Sequence, residues 1–364
     1  MSIHVLSRPL AWPWQGVLAA LSVPFLTSPC CAGAEELRLD REITAVAWTS
    51  DGSLLGVGTE DGKVRLVDPV KMRSVEEIQS GDSAVRQLAF DAAGRTFAVA
   101  TKRRLIAWEK KSDAWQQSAT YQIPEHWQVA LVWFAKDLRE VYFHIQVNYH
   151  GHPCTWNLTT GKVEAAYIPW KERSIEVTGG PVISTDGRSA WIPVIRDGLA
   201  KGESVRVDLA TRKVVDRIEQ ISMGGLLGNK DQTLVLAMPG MLIGGSNSNC
   251  TLTFWDVAKK EKIDELIGGY GLKAFSPEDN LAILTHHALG NRLLFYHVGH
   301  RGDKWPDQPE LRADIALFSP CGNYLATANG KTFRCERTPH LSPMAPPFEP
   351  TPPKPGPASL APNP

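Results

Sequence analysis

Little in this chain is in excess. Its 364 residues carry 39 Lys and Arg against 39 Asp and Glu, so the formal charge is zero, and the basic residues are scattered. Without a stripe of one sign, electrostatic capture of nucleic acid or of an anionic membrane is a poor first reading. Six cysteines in this length are too few for a disulfide scaffold, so the core must come from packing. Between residues 36 and 338 there is no run of helical periodicity, which excludes helical bundles and α/β sheets. No G-x-x-x-x-G-K-[ST], no G-x-G-x-x-G leading from strand to helix and no G-x-S-x-G elbow occurs, so phosphate cradles and the hydrolase elbow are missing as well.

The first 34 residues differ from the rest. They hold Arg8 and no acid, an apolar run from Val17 to Leu26, and Ala32-Gly33-Ala34 before Glu35. Positive, apolar and small residues in that order read as a secretory signal cut after Ala34. The run is too short to span a membrane and contains Pro24. The expectation is an exported protein, periplasmic or extracellular and bacterial. At the other end, residues 339–364 are rich in proline and poor in apolar residues, which predicts an extended tail outside the folded domain.

What is present is short alternating strands punctuated by Gly, Asp, Asn and Pro, the all-β pattern. The strands repeat in register. A residue pair ending the third strand of each unit falls at Val67-Asp68, Trp108-Glu109, Trp156-Asn157, Val207-Asp208, Trp255-Asp256, Tyr296-His297 and Cys335-Glu336. The spacings are 41, 48, 51, 48, 41 and 39 residues, close to the four-stranded blade period. A second marker, the turn between the first two strands, recurs in phase, as at Ser50-Asp51-Gly52, Asp91 to Gly94 and Pro320-Cys321-Gly322.

Ala45-Val46-Ala47-Trp48-Thr49-Ser50-Asp51-Gly52 and Asp61-Gly62-Lys63-Val64-Arg65-Leu66-Val67-Asp68 are similar to the strand-turn-strand signature of the WD40 family. The resemblance runs from 36 to 338, closest in repeats one, two, six and seven; the family's Gly-His pair is absent, and a full Trp-Asp occurs only at Trp255-Asp256. It implies an all-β, seven-bladed β-propeller of four-stranded antiparallel blades. Blade seven ends without a fourth strand, and Glu36-Leu37-Arg38-Leu39-Asp40 alternates as a spare strand. The expectation is that strand 36–40 completes blade seven and closes the ring, covering an open edge. The domain plan is 1–34 signal, 35–338 propeller and 339–364 tail.

The resemblance implies a monomeric, non-catalytic scaffold for a protein or peptide, with no cofactor; the alternative is a propeller enzyme of lactonase, dehydrogenase or hydrolase type with its site at the channel mouth. His150-Gly151-His152-Pro153-Cys154 is the most metal-like stretch, since imidazole and thiolate suit zinc or copper. His150, His152 and Cys154 are a partial shell only, and Pro153 argues for a polar hairpin loop. His286 and His287 occupy the corresponding loop of repeat six. The longest insertions, from Arg196 and Asp197 to Gly202 and from Pro239 to Asn249 with Met241, fall on the same expected face, where loops on a rigid frame tend to carry recognition. Cys321 and Cys335 should emerge at one end of repeat seven, within reach of a disulfide. Trp48, Trp108, Trp156 and Trp255 are expected to pack blade against blade.

Overall fold

A computed structural model describes residues 36–81, 83–134, 139–147, 150–165, 175–177, 182–184, 188–196, 202–219, 226–228, 234–237, 251–268, 270–277, 280–286, 289–290, 292–299 and 311–338. A short strand β1 (Glu36–Arg38) precedes the first repeat, β2 (Ile43–Trp48), β3 (Leu55–Thr59), β4 (Lys63–Asp68) and β5 (Arg73–Gln79). The second is β6 (Gln87–Phe90), β7 (Thr96–Ala100), β8 (Arg104–Lys111) and β9 (Ala114–Gln122). The third is β10 (Gln128–Phe134), β11 (Glu140–Val147), β12 (His150–Asn157) and β13 (Val163–Ala165). The fourth comprises β14 (Ile175–Val177), β15 (Val182–Ile183), β16 (Ser189–Arg196), β17 (Gly202–Asp208) and β18 (Lys213–Glu219). The fifth is β19 (Leu226–Gly228), β20 (Leu234–Ala237), β21 (Thr251–Asp256) and β22 (Glu261–Ile267). The sixth is β23 (Tyr270–Phe275), β24 (Leu281–His286) and β25 (Leu293–His297), and the last is β26 (Ile315–Phe318), β27 (Tyr324–Asn329) and β28 (Thr332–Arg337).

The paired strands are antiparallel, but among the described residues they form six sheets where seven were expected. The third and fourth repeats share one nine-stranded sheet. The cause is the outer edge of β12. The short β13 covers only Cys154 to Trp156, so Gly151 is left to pair with Val177 of β14. The same gap corrects the reading of His150 to Cys154 as a loop. Those residues are strand, with Pro153 opposite His144. Proline is tolerated there because it faces the stretch of edge between β13 and β14, where no ladder bond needs its missing N–H.

Five of the seven pairs that mark the third-strand ends sit at those ends, whereas β8 runs two residues past Trp108-Glu109 and β28 one residue past Cys335-Glu336; four of the five show why the second member is Asp or Asn. Asp68 Oδ1 accepts the N–H of Val70 and Lys71, both at 3.0 Å. Asn157 Oδ1 accepts Thr159 and Thr160 at 3.0 and 2.9 Å. Asp208 takes Thr211 at 2.7 Å and Asp256 takes Lys259 at 3.0 Å. Four residues after each cap the chain turns left-handed, at Met72, Gly161, Arg212 and Lys260, with φ of 44°, 72°, 57° and 57°. The short side chain thus replaces the ladder where the strand reverses. The backbone bonds from Lys71, Thr211 and Lys259 hold the three Asp carboxyls below their ordinary range.

Each core cluster is shared by two consecutive repeats. Phe97 and Val99 of the second pack with Val64 and Leu66 of the first. Ala98 and Leu105 pack with Phe143 and Trp156 of the third, and Tyr142 of the third with Val194 and Val205 of the fourth. Phe254 of the fifth meets Phe275 and Leu284 of the sixth, which in turn packs Ile283 and Phe295 against Phe318 and Leu325 of the last. Glycines set the close approach of the first pair. A Cβ on Gly58 would collide with Val85, and one on Gly56 with Leu88.

At the ends of the chain, β1 pairs with β28, Glu36 opposite Arg334 and Arg38 opposite Thr332. The strand is two residues shorter than the expected 36–40. Beyond it Leu39 donates its N–H to Lys331 O at 2.9 Å and Ile43 to Gly330 O at 2.8 Å. Leu39, Ile43, Trp48, Leu55 and Val57 then form one cluster with Ala326, Ala328 and Phe333.

Candidate functional site

The described residues singled out by sequence fall on strands and turns of several repeats. His150 and His152 lie in β12, opposite Val147 and Ile145. Cys154 is 4% exposed within the cluster around Phe143 and Trp156. Burial pushes its thiol up to about 11. Arg196 ends β16 opposite Ile175. Asp197, Met241 and His287 lie outside the described residues. His286 ends β24 and packs edge-on against Tyr270, with centroids 4.9 Å apart.

The expected Cys321–Cys335 bridge is corrected: both are free thiols. Cys335 faces the cluster around Leu39 and Phe333 and stands opposite Ala326. Cys321 is exposed in the β26–β27 turn, its sulfur 3.3 Å from Ser319 Oγ. Of the four tryptophans, Trp48 and Trp156 are core residues, and Trp108 stacks on Phe97 at 6.2 Å. Trp255 is the exception, half-buried and donating its indole N–H to Thr253 Oγ1 at 3.1 Å.

A cleft of about 480 Å³ that the sequence did not reveal opens between the second and third repeats. It is built at the strand ends: Asp91 and Arg95 from the β6–β7 turn, Glu109 from β8, Phe134 at the end of β10, Arg139 just before β11, and Leu158 in the β12–β13 turn. Leu158 donates its N–H to Arg139 O at 3.0 Å, tying two of these turns together. Arg139 holds φ at 45°, and its guanidinium lies 3.0 Å from Glu109. Asp91 turns its Oδ1 to the N–H groups of Arg95 and Thr96, at 2.8 and 3.1 Å. With both acids engaged, the exposed Arg95 has no acidic partner among the described residues. The cleft therefore offers two apolar side chains, Phe134 and Leu158, and the guanidinium of Arg95 on its lining.

A smaller cleft of about 280 Å³ lies beside β28, with Arg312, Thr327, Asn329, Arg334 and Glu36 on its walls. Here Arg334 is already used: its Nε and Nη2 bond Glu36 Oε2 at 3.1 and 2.8 Å. Those bonds hold the Glu36 carboxyl below its ordinary value.

Neighbouring repeats are also joined by polar ties that sequence reasoning passed over. Asp264 of β22 is fully buried. It accepts the N–H of Gly299 at 3.0 Å and of Glu265 at 2.8 Å, and the hydroxyl of Tyr296. Its only signal in the sequence is an acid at an inward position of a strand. The Arg95 cleft had none, because its parts come from separate turns brought together by stacking.

A family model described as the WD40 domain of anaphase-promoting complex subunit 4 matches residues 14–93. No curated protein matches. Among solved structures, the β-propeller domain of Cps50 (Swd1) from Myceliophteria thermophila is 14% identical, with a TM-score of 0.62 over 84% of this chain and 98% of that one. Kuenenia stuttgartiensis hydrazine synthase is 12% identical, with a TM-score of 0.59 over 83% of this chain and 97% of that one. At such identities the likeness shows the fold alone, and 1699 solved chains match, so a fold this common does not fix a function. The fold is that of a WD40-like β-propeller with antiparallel blades.

Proposed function

We propose that this chain is an exported, non-catalytic scaffold that binds a peptide or protein partner at the turns and loops of a closed WD40-like propeller. The observation that carries the binding role is the cleft between the second and third repeats. Arg95, which has no acidic partner among the described residues, lines it together with Phe134 and Leu158, a combination suited to a linear segment that pairs an apolar side chain with a carboxylate. Closure is supported by β1 lying on β28 and by the cluster joining Leu39 to Phe333. Export is supported by the composition of residues 1–34. The segments 196–202 and 239–249 are a second proposed contact region, on the strength of their length and position in the repeat.

The test is affinity capture from an envelope fraction with the full chain, repeated with Arg95→Glu, Phe134→Ala and alanine-scanned 239–249. A partner held by the parent chain and lost by one of these variants supports the scaffold reading. A partner held equally by all of them, or substrate turnover by the purified chain, contradicts it.

A further inference from the structure

We infer that the cleft between the second and third repeats receives a segment of this same chain, the Phe348-Glu349 pair of its proline-rich tail. The inference rests on reading that cleft as a peptide site, and goes beyond it by naming the occupant. Chemistry is the first argument. The cleft asks for an apolar group beside a carboxylate, and Pro346-Pro347-Phe348-Glu349-Pro350 supplies an aromatic ring followed directly by an acid. The flanking prolines restrict φ and favour an extended backbone, which lowers the entropy lost when such a segment docks.

Position is the second argument. The tail, which lies outside the described residues, leaves the domain at Thr338. That residue is pinned to the β26–β27 turn, its N–H on Asn323 O at 2.8 Å and its Oγ1 on Gly322 O at 2.6 Å. This turn neighbours the corresponding one of the first repeat, for a Cβ on Gly52 would lie 3.8 Å from Pro320 Cδ. The first-repeat turn in turn touches that of the second: Ser50 Oγ bonds Ala92 O, and a Cβ on Gly94 would lie 3.6 Å from Thr49. Asp91 to Arg95, the rim of the cleft, is that second-repeat turn. The exit point and the cleft thus share one face, two turns apart.

Reach is the third. Sheets stack about 10 Å apart, so the two steps to Arg95 are on the order of 20 Å and the third, to Phe134 and Leu158 of the third repeat, brings the path to on the order of 30 Å. Ten residues separate Thr338 from Phe348, and at about 3.1 Å each in polyproline II they span roughly 31 Å. The ring of Phe348 would rest on Phe134 and Leu158, and the carboxylate of Glu349 would meet Arg95.

Photo-crosslinking of the full chain tests this. Benzoylphenylalanine is placed at Phe348, and a mixture of isotopically light and heavy chains separates links within one chain from links between copies. The expected result is an intrachain link to peptides containing residues 91–96, 134 or 158. It should fall to about a tenth or less in Arg95→Glu and return when Glu349→Arg is added, a rescue that a misfolded variant could not show. Links only between copies, links elsewhere, or links undiminished by Arg95→Glu overturn the inference. A tethered segment has an effective concentration on the order of 1 mM, so for a segment with an intrinsic Kd of about 0.1 mM a labelled peptide of residues 339–364 should bind the Phe348→Ala chain about tenfold more tightly than the parent. Equal peptide binding by parent and variant, without the intrachain link, overturns the tail as occupant and leaves the peptide site standing. No binding by either removes both.

Discussion

Replacing Leu39 by alanine tests how the two ends of the folded region are held together. Leu39 is 4% exposed and belongs to the cluster that joins the first repeat to Phe333 of the last. Removing a buried leucine side chain costs about 2–5 kcal/mol, depending on how far the cavity collapses. Here the neighbours come from two sheets whose frames are fixed by their own ladders, so little collapse is expected and a value of about 3 kcal/mol is reasonable. For a domain of this size each kcal/mol moves the midpoint by roughly 2–4 °C, so Leu39→Ala should melt roughly 6–12 °C below the parent. Val75→Ala, at a position 57% exposed on β5, is the control and should stay within about 0.5 kcal/mol. Urea unfolding followed by circular dichroism, with Phe333→Leu alone and combined with Leu39→Ala, gives the coupling between the two ends. A coupling of about 0.5–3 kcal/mol is expected for residues of one cluster. A Leu39→Ala loss no larger than that of Val75→Ala, or strict additivity with Phe333→Leu, would refute the role assigned to residues 36–43.

Three further outcomes follow from the geometry. Thiol labelling of the native chain, read by peptide mass mapping, should mark Cys321 first; although burial opposes it, bonds from Ser319 and the Asn323 backbone hold that thiol below its usual value. Cys154 and Cys335, pushed by burial to about 11 and about 12, should label only on unfolding, and equal rates would contradict the packing. Asp264→Ala should lower stability by about 1–3 kcal/mol in the same urea assay, because the donors on Gly299, Glu265 and Tyr296 lose their common acceptor; a loss below about 0.5 kcal/mol would remove Asp264 as a tie between repeats. Glu77 bonds Lys63 and Arg65, both at 2.6 Å, and these partners, Lys63 first, hold its carboxyl below 4.5. The stability it adds is present above that value and lost as pH falls through the lowered one. The melting difference between the parent and Glu77→Gln should therefore shrink on going from pH 7 to pH 3, and a difference independent of pH would contradict the pair.

The repeat was legible in the sequence because its punctuation is local chemistry. Asp68, Asn157, Asp208 and Asp256 cap turns within their own next four residues, so their spacing survives whatever packs around them. Three things were not legible, each for a tertiary reason. The union of the third and fourth repeats rests on one pairing, Gly151 with Val177, which depends on β13 being too short to cover β12. Pro153 reads as a strand breaker, yet it occupies a stretch of edge where no ladder bond is required. The Arg95 cleft assembles from turns of two repeats, so neither Phe134 nor Leu158 stands out alone. The expected disulfide failed on direction: Cys335 points into the core and Cys321 into solvent, which residue spacing alone does not reveal.

The central claim, that this propeller binds a linear apolar–acidic segment between its second and third repeats, is tested most directly by fluorescence anisotropy. A labelled peptide of residues 346–350 is titrated into the full chain carrying Phe348→Ala, alone and with Arg95→Glu or Phe134→Ala. Saturable binding that weakens about tenfold or more with either added substitution is the predicted result. Binding of equal strength in all three chains, or none in the Phe348→Ala chain, would contradict the claim.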